Sequence, residues 1–97
     1  MSKLNFSPRA RADLGEIWDY TVERWGEIQA DRYVRLIASV CDDLAAGRRT
    51  GTSAEALRAG YLRCRAGSHI LFYCCTHGGD IEVIRILHQR MDVDRHL

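Results

Sequence analysis

The sequence predicts an α+β fold of order βααβββ, with a two-helix hairpin packed on a small antiparallel sheet. Two regions carry that expectation. From Ser7 to Gly47, apolar residues recur at helical spacing, with one glycine break at Gly26. From Tyr61 to His88, three short runs rich in β-branched and aromatic residues are separated by glycine-containing gaps of three or four residues. Gaps of that length are hairpin connections, so the runs read as a meander. Three strands with one apolar face need a cover in water, and the helices supply it.

Taken in order, Lys3-Leu4-Asn5-Phe6 alternates polar and apolar and reads as a short strand. It is expected to join the same sheet, with its neighbour left open. Ser7-Pro8 then opens a helix, because serine suits the N-cap and proline the first helical position. Ala10, Leu14, Ile17, Trp18, Thr21 and Trp25 form the apolar stripe, and Arg9, Asp13, Glu16, Asp19 and Glu23 fill most of the polar side. Gly26 ends this helix. The second helix carries Ala30, Tyr33, Ile37, Val40, Cys41 and Leu44 inward and stops at Gly47. So short a connection makes the two helices antiparallel neighbours.

Arg48–Ser53 is polar and reads as a surface loop, and Ala54–Arg58 as a helical turn with Leu57 tucked inward. In the meander, Leu62 and Cys64 oppose Tyr61, Arg63 and Arg65. Ile70, Phe72 and Cys74 oppose Leu71, Tyr73 and Cys75, and apolar residues on both faces mark that run as the central strand. Val83, Arg85 and Leu87 oppose Ile84, Ile86 and His88. The tail from Gln89 to Leu97 is expected to hold one helical turn.

The 97 residues suit one domain, 1–97, with one core. A hydrophobic share of 46% excludes a disordered chain, and a net charge of +1 gives no argument for bulk nucleic-acid binding. Met1-Ser2-Lys3 leads into mixed sequence, not the apolar run of a signal peptide, and no stretch reaches membrane-spanning length. A cytoplasmic protein without cofactor or metal is expected. The four cysteines, Cys41, Cys64, Cys74 and Cys75, form no C-x-x-C pair and read as small apolar fillers.

No phosphate loop, dinucleotide fingerprint, H-E-x-x-H site or nucleophile elbow is present. What remains is a basic and aromatic set on the strands: Arg63, Arg65, Tyr73, Arg85, His88 and Arg90. One reading is a phosphate-handling surface, with His88 moving a proton near neutral pH. The plainer reading, which composition favours, is that alternate residues of a half-exposed strand must be polar. Trp18 and Trp25, seven residues apart, suit core packing, with a partner groove as the alternative. Surface turns account for His69 and His77.

Three blocks carry a wider resemblance. They are Ser7-Pro8 with Ala12-Asp13-Leu14, Ile17–Tyr20 and Glu23–Gly26; then Leu57–Arg63 with Gly67–Tyr73; then Ile81–Asp92, closing on His96-Leu97. In this order they resemble the ParE toxins of the RelE/ParE superfamily of bacterial toxin–antitoxin systems. The resemblance implies the same fold and a toxin neutralised by a ParD-like antitoxin. Its implied target is DNA gyrase, inhibited by binding and without an enzymatic step, and the toxin alone would not bind nucleic acid specifically. RelE-type relatives instead cleave mRNA on the ribosome. Arg65 and His88 fall near positions where some of those nucleases keep an arginine and a general acid, but no convincing base accompanies them. Trp18, Tyr20, Arg63, Arg65, Tyr73, Arg85 and Arg90 are the partner-binding candidates, aromatic and arginine side chains being favoured interface anchors.

Overall fold

A computed structural model describes residues 3–76 and 78–97, apart from the side chain of Asp94. The turn expected at His77 lies outside the described residues. The elements are β1 (Leu4–Phe6), α1 (Pro8–Trp25), α2 (Glu27–Ala45), β2 (Thr52–Ser53), β3 (Leu62–Ala66), β4 (His69–Cys75), β5 (Ile81–His88) and α3 (Val93–His96). One sheet runs in the order β1-β5-β4-β3-β2. The meander is antiparallel as expected, with β4 central. β1 lies parallel to β5, however, so the sheet is mixed. Thr52 and Ser53, expected in a loop, pair with Arg63 and Leu62.

The start of α1 is fixed twice over. Ser7 Oγ accepts the Ala10 N–H at 3.0 Å and donates to the Ile84 carbonyl at 2.6 Å. The Ser7 N–H donates to the Val83 carbonyl at 2.9 Å. The cap is therefore also the joint between α1 and β5. Gly26, at φ +90°, reverses the chain between the helices, a conformation in which a side chain would be strained.

Side-chain alternation divides the apolar residues between two sheet faces. Against the helices lie Leu71, Tyr73, Ile81, Val83 and Ile86, packed on Ile17, Ile37, Val40, Cys41 and Leu44. On the opposite face Phe72 and Leu87 pack with Ala54 under Leu57, Tyr61, Val93 and Leu97. The segment from Ala54 and the C-terminal turn thus cover the side the helices leave open. Fully burying a side chain such as Phe72 or Leu87 is worth about 1.5–3 kcal/mol.

Two expectations about faces are corrected. Phe72 pairs with Arg85 but Tyr73 with Val83, so β5 carries one extra residue. This bulge breaks the two-residue period, and Val83 and Leu87 end on opposite faces. On α1 the buried stripe is Ala10, Asp13, Ile17 and Thr21. Trp18, one step of about 100° from Ile17, is half-buried. Trp25 is the last residue of the helix and is 69% exposed instead of packed in the core.

Candidate functional site

The sheet separates the candidate residues into two regions. The first is a cleft of about 630 Å³ where α1 meets β5 and α3. β1 stops where Phe6 pairs with Val83, so beyond that point the outer edge of β5 has no strand neighbour among the described residues. Asp13 fills the gap from α1, its carboxylate accepting the Ile86 N–H at 2.9 Å. Nε and Nη2 of Arg85 donate to the two Asp13 oxygens, each at 2.9 Å, and Nη1 donates to the His96 carbonyl at 2.7 Å. The bonds to Asp13 push the Arg85 guanidinium pKa up despite its partial burial. Arg85 is thus an internal strut tying together a helix, a strand and the C-terminal turn.

Deeper in this cleft, the rings of His69 and His88 meet edge to face with centroids 5.2 Å apart. The Tyr33 oxygen accepts the Ser68 N–H at 2.9 Å and lies 2.6 Å from Nδ1 of His69. Its proton is therefore free to bond Nδ1, which suits a neutral His69. Burial, reinforced by His88 and opposed by Asp13, pushes the His69 pKa down to about 4. His88 Nδ1 accepts the Arg90 N–H at 3.2 Å. A second hollow, of about 240 Å³, shares Tyr20, His69 and His88 with the first and adds Trp25 and Gln29. Its rim is apolar and open: Tyr20 is 60% exposed and Trp25 69%. Arg24 lies over the Tyr20 ring, 5.5 Å from its centroid.

The second region is a hollow of about 340 Å³ beside β2 and β3, lined by Arg63, Arg65 and Gln89 among others. Both arginines are exposed, and Arg65 Nε donates to the Gly67 carbonyl at 3.0 Å. Tyr73 does not join them. Alternation along β4 turns it toward the helices, where it is 3% exposed and its hydroxyl accepts the Gly51 N–H at 2.8 Å. Arg65 aligns with Ile70 and Leu87, whereas His88 aligns with His69 and Ala66. The first row faces away from the helices and the second toward them, so Arg65 and His88 stand on opposite faces.

Sequence reasoning missed Asp13, Tyr33 and His69. A signal for Asp13 was available, since it stands between Ala10 and Ile17 on the apolar stripe, where a solvated carboxylate does not belong. Among the described residues, no group of three His, Cys, Asp or Glu side chains is placed to hold a metal ion. No described helix is long and apolar enough to cross a membrane.

Residues 4–93 match the family described as ParE toxin of type II toxin-antitoxin system, parDE. The chain is 50% identical over 96 residues to Toxin ParE1 of Mycobacterium tuberculosis, covering 99% of this chain and 98% of that protein. It is 43% identical over 97 residues to Toxin ParE1 of Caulobacter vibrioides, covering 100% and 99%. Toxin ParE of Escherichia coli is 31% identical over 93 residues, covering 96% and 90%. A chain of the chromosomal ParDE TA system from P. aeruginosa matches with a TM-score of 0.77 over 91% of this chain and 96% of that one. At 24% identity, that last likeness is one of fold.

Proposed function

The chain belongs to the ParE toxin family of type II toxin–antitoxin systems, and from that premise we propose that it acts by binding, not by catalysis. A ParD-like antitoxin holds it inactive. Released, it inhibits DNA gyrase. The observation that carries this reading is the placement of Arg65 and His88 on opposite faces of the sheet. Cleavage of a phosphodiester needs charge stabilisation and proton transfer at one reacting centre, and a sheet between the two groups separates those roles. Asp13, a carboxylate near His88, already serves Arg85 and the Ile86 N–H.

The surfaces suit recognition. Tyr20 and Trp25 stand exposed around the hollow between the helices and β5, with Trp18 half-buried on the same helix. Arg63 and Arg65 are exposed beside β2 and β3, and Arg90 is exposed and lines the cleft between α1 and β5. These are the side-chain types that dominate binding energy when a partner covers them. We assign Trp18, Tyr20, Arg63, Arg65 and Arg90 to partner contact and leave Arg85 and Tyr73 to the fold.

The test uses the parent protein in gyrase supercoiling and ribosome-bound mRNA cleavage assays, together with growth assays of His88→Gln. Inhibited supercoiling, no cleavage and retained toxicity of the variant are expected. Cleavage lost in His88→Gln, with supercoiling untouched by the parent, would falsify the proposal and install a RelE-type ribonuclease. Co-expression with the adjacent open reading frame tests the antitoxin arm, with restored growth as the expected result.

A further inference from the structure

The sheet has an unfinished edge. β2 pairs with β3 only at Thr52↔Arg63 and Ser53↔Leu62, while β3 continues to Ala66. Continued in register, β2 would set Gly51 against Cys64 and Thr50 against Arg65. It does not continue: the ladder ends at Thr52, and the next residue back, Gly51, donates its N–H to the Tyr73 hydroxyl at 2.8 Å. Antiparallel bonding alternates along a strand. The Ala54 N–H donates to the Tyr61 carbonyl at 2.8 Å, so Tyr61, Arg63 and Arg65 turn their backbone groups toward the β2 side. Leu62, Cys64 and Ala66 turn theirs toward β4. The N–H and C=O of Arg65 therefore point out of the sheet, past the end of β2.

Chemistry at this edge is one-sided. The hollow beside it is lined by Thr50, Thr52, Arg63, Arg65, Ile70 and Gln89 among others, with two guanidinium groups and no carboxylate among the described residues of its lining. Arg63 and Arg65 lie two residues apart on one face of β3, about 6.5 Å along the strand. An added strand repeats its own side chains at the same interval. Thr52 already fills the place opposite Arg63, so a carboxylate opposite Arg65 would meet that guanidinium directly and the Arg63 guanidinium diagonally, while the strand's backbone bonds Arg65.

We propose that this edge receives an extended, acidic segment of the antitoxin, which joins the sheet beside β3 in line with β2. The inference rests on the toxin–antitoxin reading above and adds its mode of recognition: main-chain pairing at Arg65, with register set by the carboxylate opposite Arg65. An unfinished edge left bare is also a place for unwanted pairing, so a strand there shields the edge in the complex.

Two measurements test it. Binding of the antitoxin encoded by the adjacent frame, followed by residue-resolved amide exchange, should slow exchange of the Arg65 amide by about tenfold or more, because that N–H becomes part of a ladder. Separately, Arg65→Pro removes the outward N–H without touching a β3–β4 bond, and proline is tolerated at such edge positions. Compared with Arg65→Ala, which loses the same side chain, it should bind the antitoxin about three- to tenfold more weakly, the worth of one such bond. If Arg65→Pro does not fold, as judged by circular dichroism, exchange in the parent protein decides.

Tight binding with unchanged Arg65 exchange overturns the inference while leaving the antitoxin reading intact. No binding at all overturns both. Protection of Arg65 by a thymidine oligonucleotide but not by the antitoxin would assign the edge to nucleic acid. Protection that grows with the concentration of the isolated toxin would assign it to self-pairing. Either result sinks the proposal.

Discussion

Asp13 on α1 and Arg85 on β5, 72 positions apart in sequence, form a two-pronged ion pair with both bonds at 2.9 Å. Their side chains are only 9% and 12% exposed. The same carboxylate closes the edge of β5 at Ile86, and the same guanidinium holds the C-terminal turn through the His96 carbonyl. The pair thus lies where three separately folded pieces of the chain meet. Its worth lies less in mutual attraction, which desolvation largely offsets, than in what either group would cost if left alone.

Asp13→Ala is therefore expected to destabilise the protein by about 3–5 kcal/mol, because Arg85 is left buried without its counter-ion and the Ile86 N–H loses its acceptor. Replacing Arg85 by methionine in the same chain should recover much of the loss. Urea unfolding of the two variants and the parent checks this. An Asp13→Ala cost below about 1 kcal/mol, in the range of an exposed pair, would show that the strut carries no load.

His69 sets an acid limit on stability. Its ordinary pKa is about 6.5 and its folded value about 4. Between those values the unfolded chain binds the proton and the folded one does not, so stability falls as the pH drops from about 6.5 toward 4. Above 6.5 this contribution is flat. The readout that isolates this group is the difference between the parent and His69→Gln in urea midpoint from pH 7.5 to 4.5. Parallel curves would contradict the assignment.

Gly67 links the β3–β4 turn to that histidine. It sits at φ +62°, and a Cβ there would lie 2.7 Å from Cε1 of Tyr33. Gly67→Ala therefore combines a left-handed backbone, costing about 1 kcal/mol, with displacement of the ring that bonds both Ser68 and His69. A loss of stability together with a rise in the His69 pKa, followed by NMR titration, is expected. Loss of stability with an unmoved pKa would separate the turn from the histidine.

The order of elements was legible because each depends on local chemistry. Ser7-Pro8 starts α1, Gly26 turns the hairpin, and the apolar pattern of Ile70–Cys75 marks a strand covered on both sides. Non-local features were not legible. The parallel partnership of Leu4–Phe6 with Ile81–Val83 spans most of the chain, and no local pattern encodes it. The bulge in β5 reverses an alternation that looks regular in sequence. Trp25 fits a helical stripe by spacing, yet it stands at the end of α1, so periodicity misjudged its burial. The candidate residues were legible by type but not by convergence. Arg65 and His88 look like a pair until strand register places a sheet between them.

The cysteines should react in order of exposure. Cys41 is fully buried, and burial pushes its thiol pKa up to about 12, so almost no thiolate exists at pH 8. Cys75 is exposed at the end of β4. Mass-resolved alkylation of the native protein should modify Cys75 first and Cys41 only at the rate of unfolding. Early modification of Cys41 would mean that α2 opens away from the sheet without global unfolding.

Tyr20 and Trp25 separate stability from recognition. Both project from α1 into solvent, and both line the hollow that also holds His69 and His88. Exposed substitutions usually change stability by within about 0.5 kcal/mol, so Tyr20→Ala and Trp25→Ala should leave the urea midpoint almost unmoved. If a partner covers this rim, the same rings become desolvated anchors, and truncating an anchor costs about 2 kcal/mol or more, at least tenfold in affinity. Calorimetric titration with the antitoxin and a gyrase supercoiling assay distinguish which partner uses the rim. Weakened antitoxin binding with inhibition preserved assigns it to neutralisation, and the reverse assigns it to the target. A large stability loss with both interactions intact would return the two rings to the fold, since only packing would then explain why they are there.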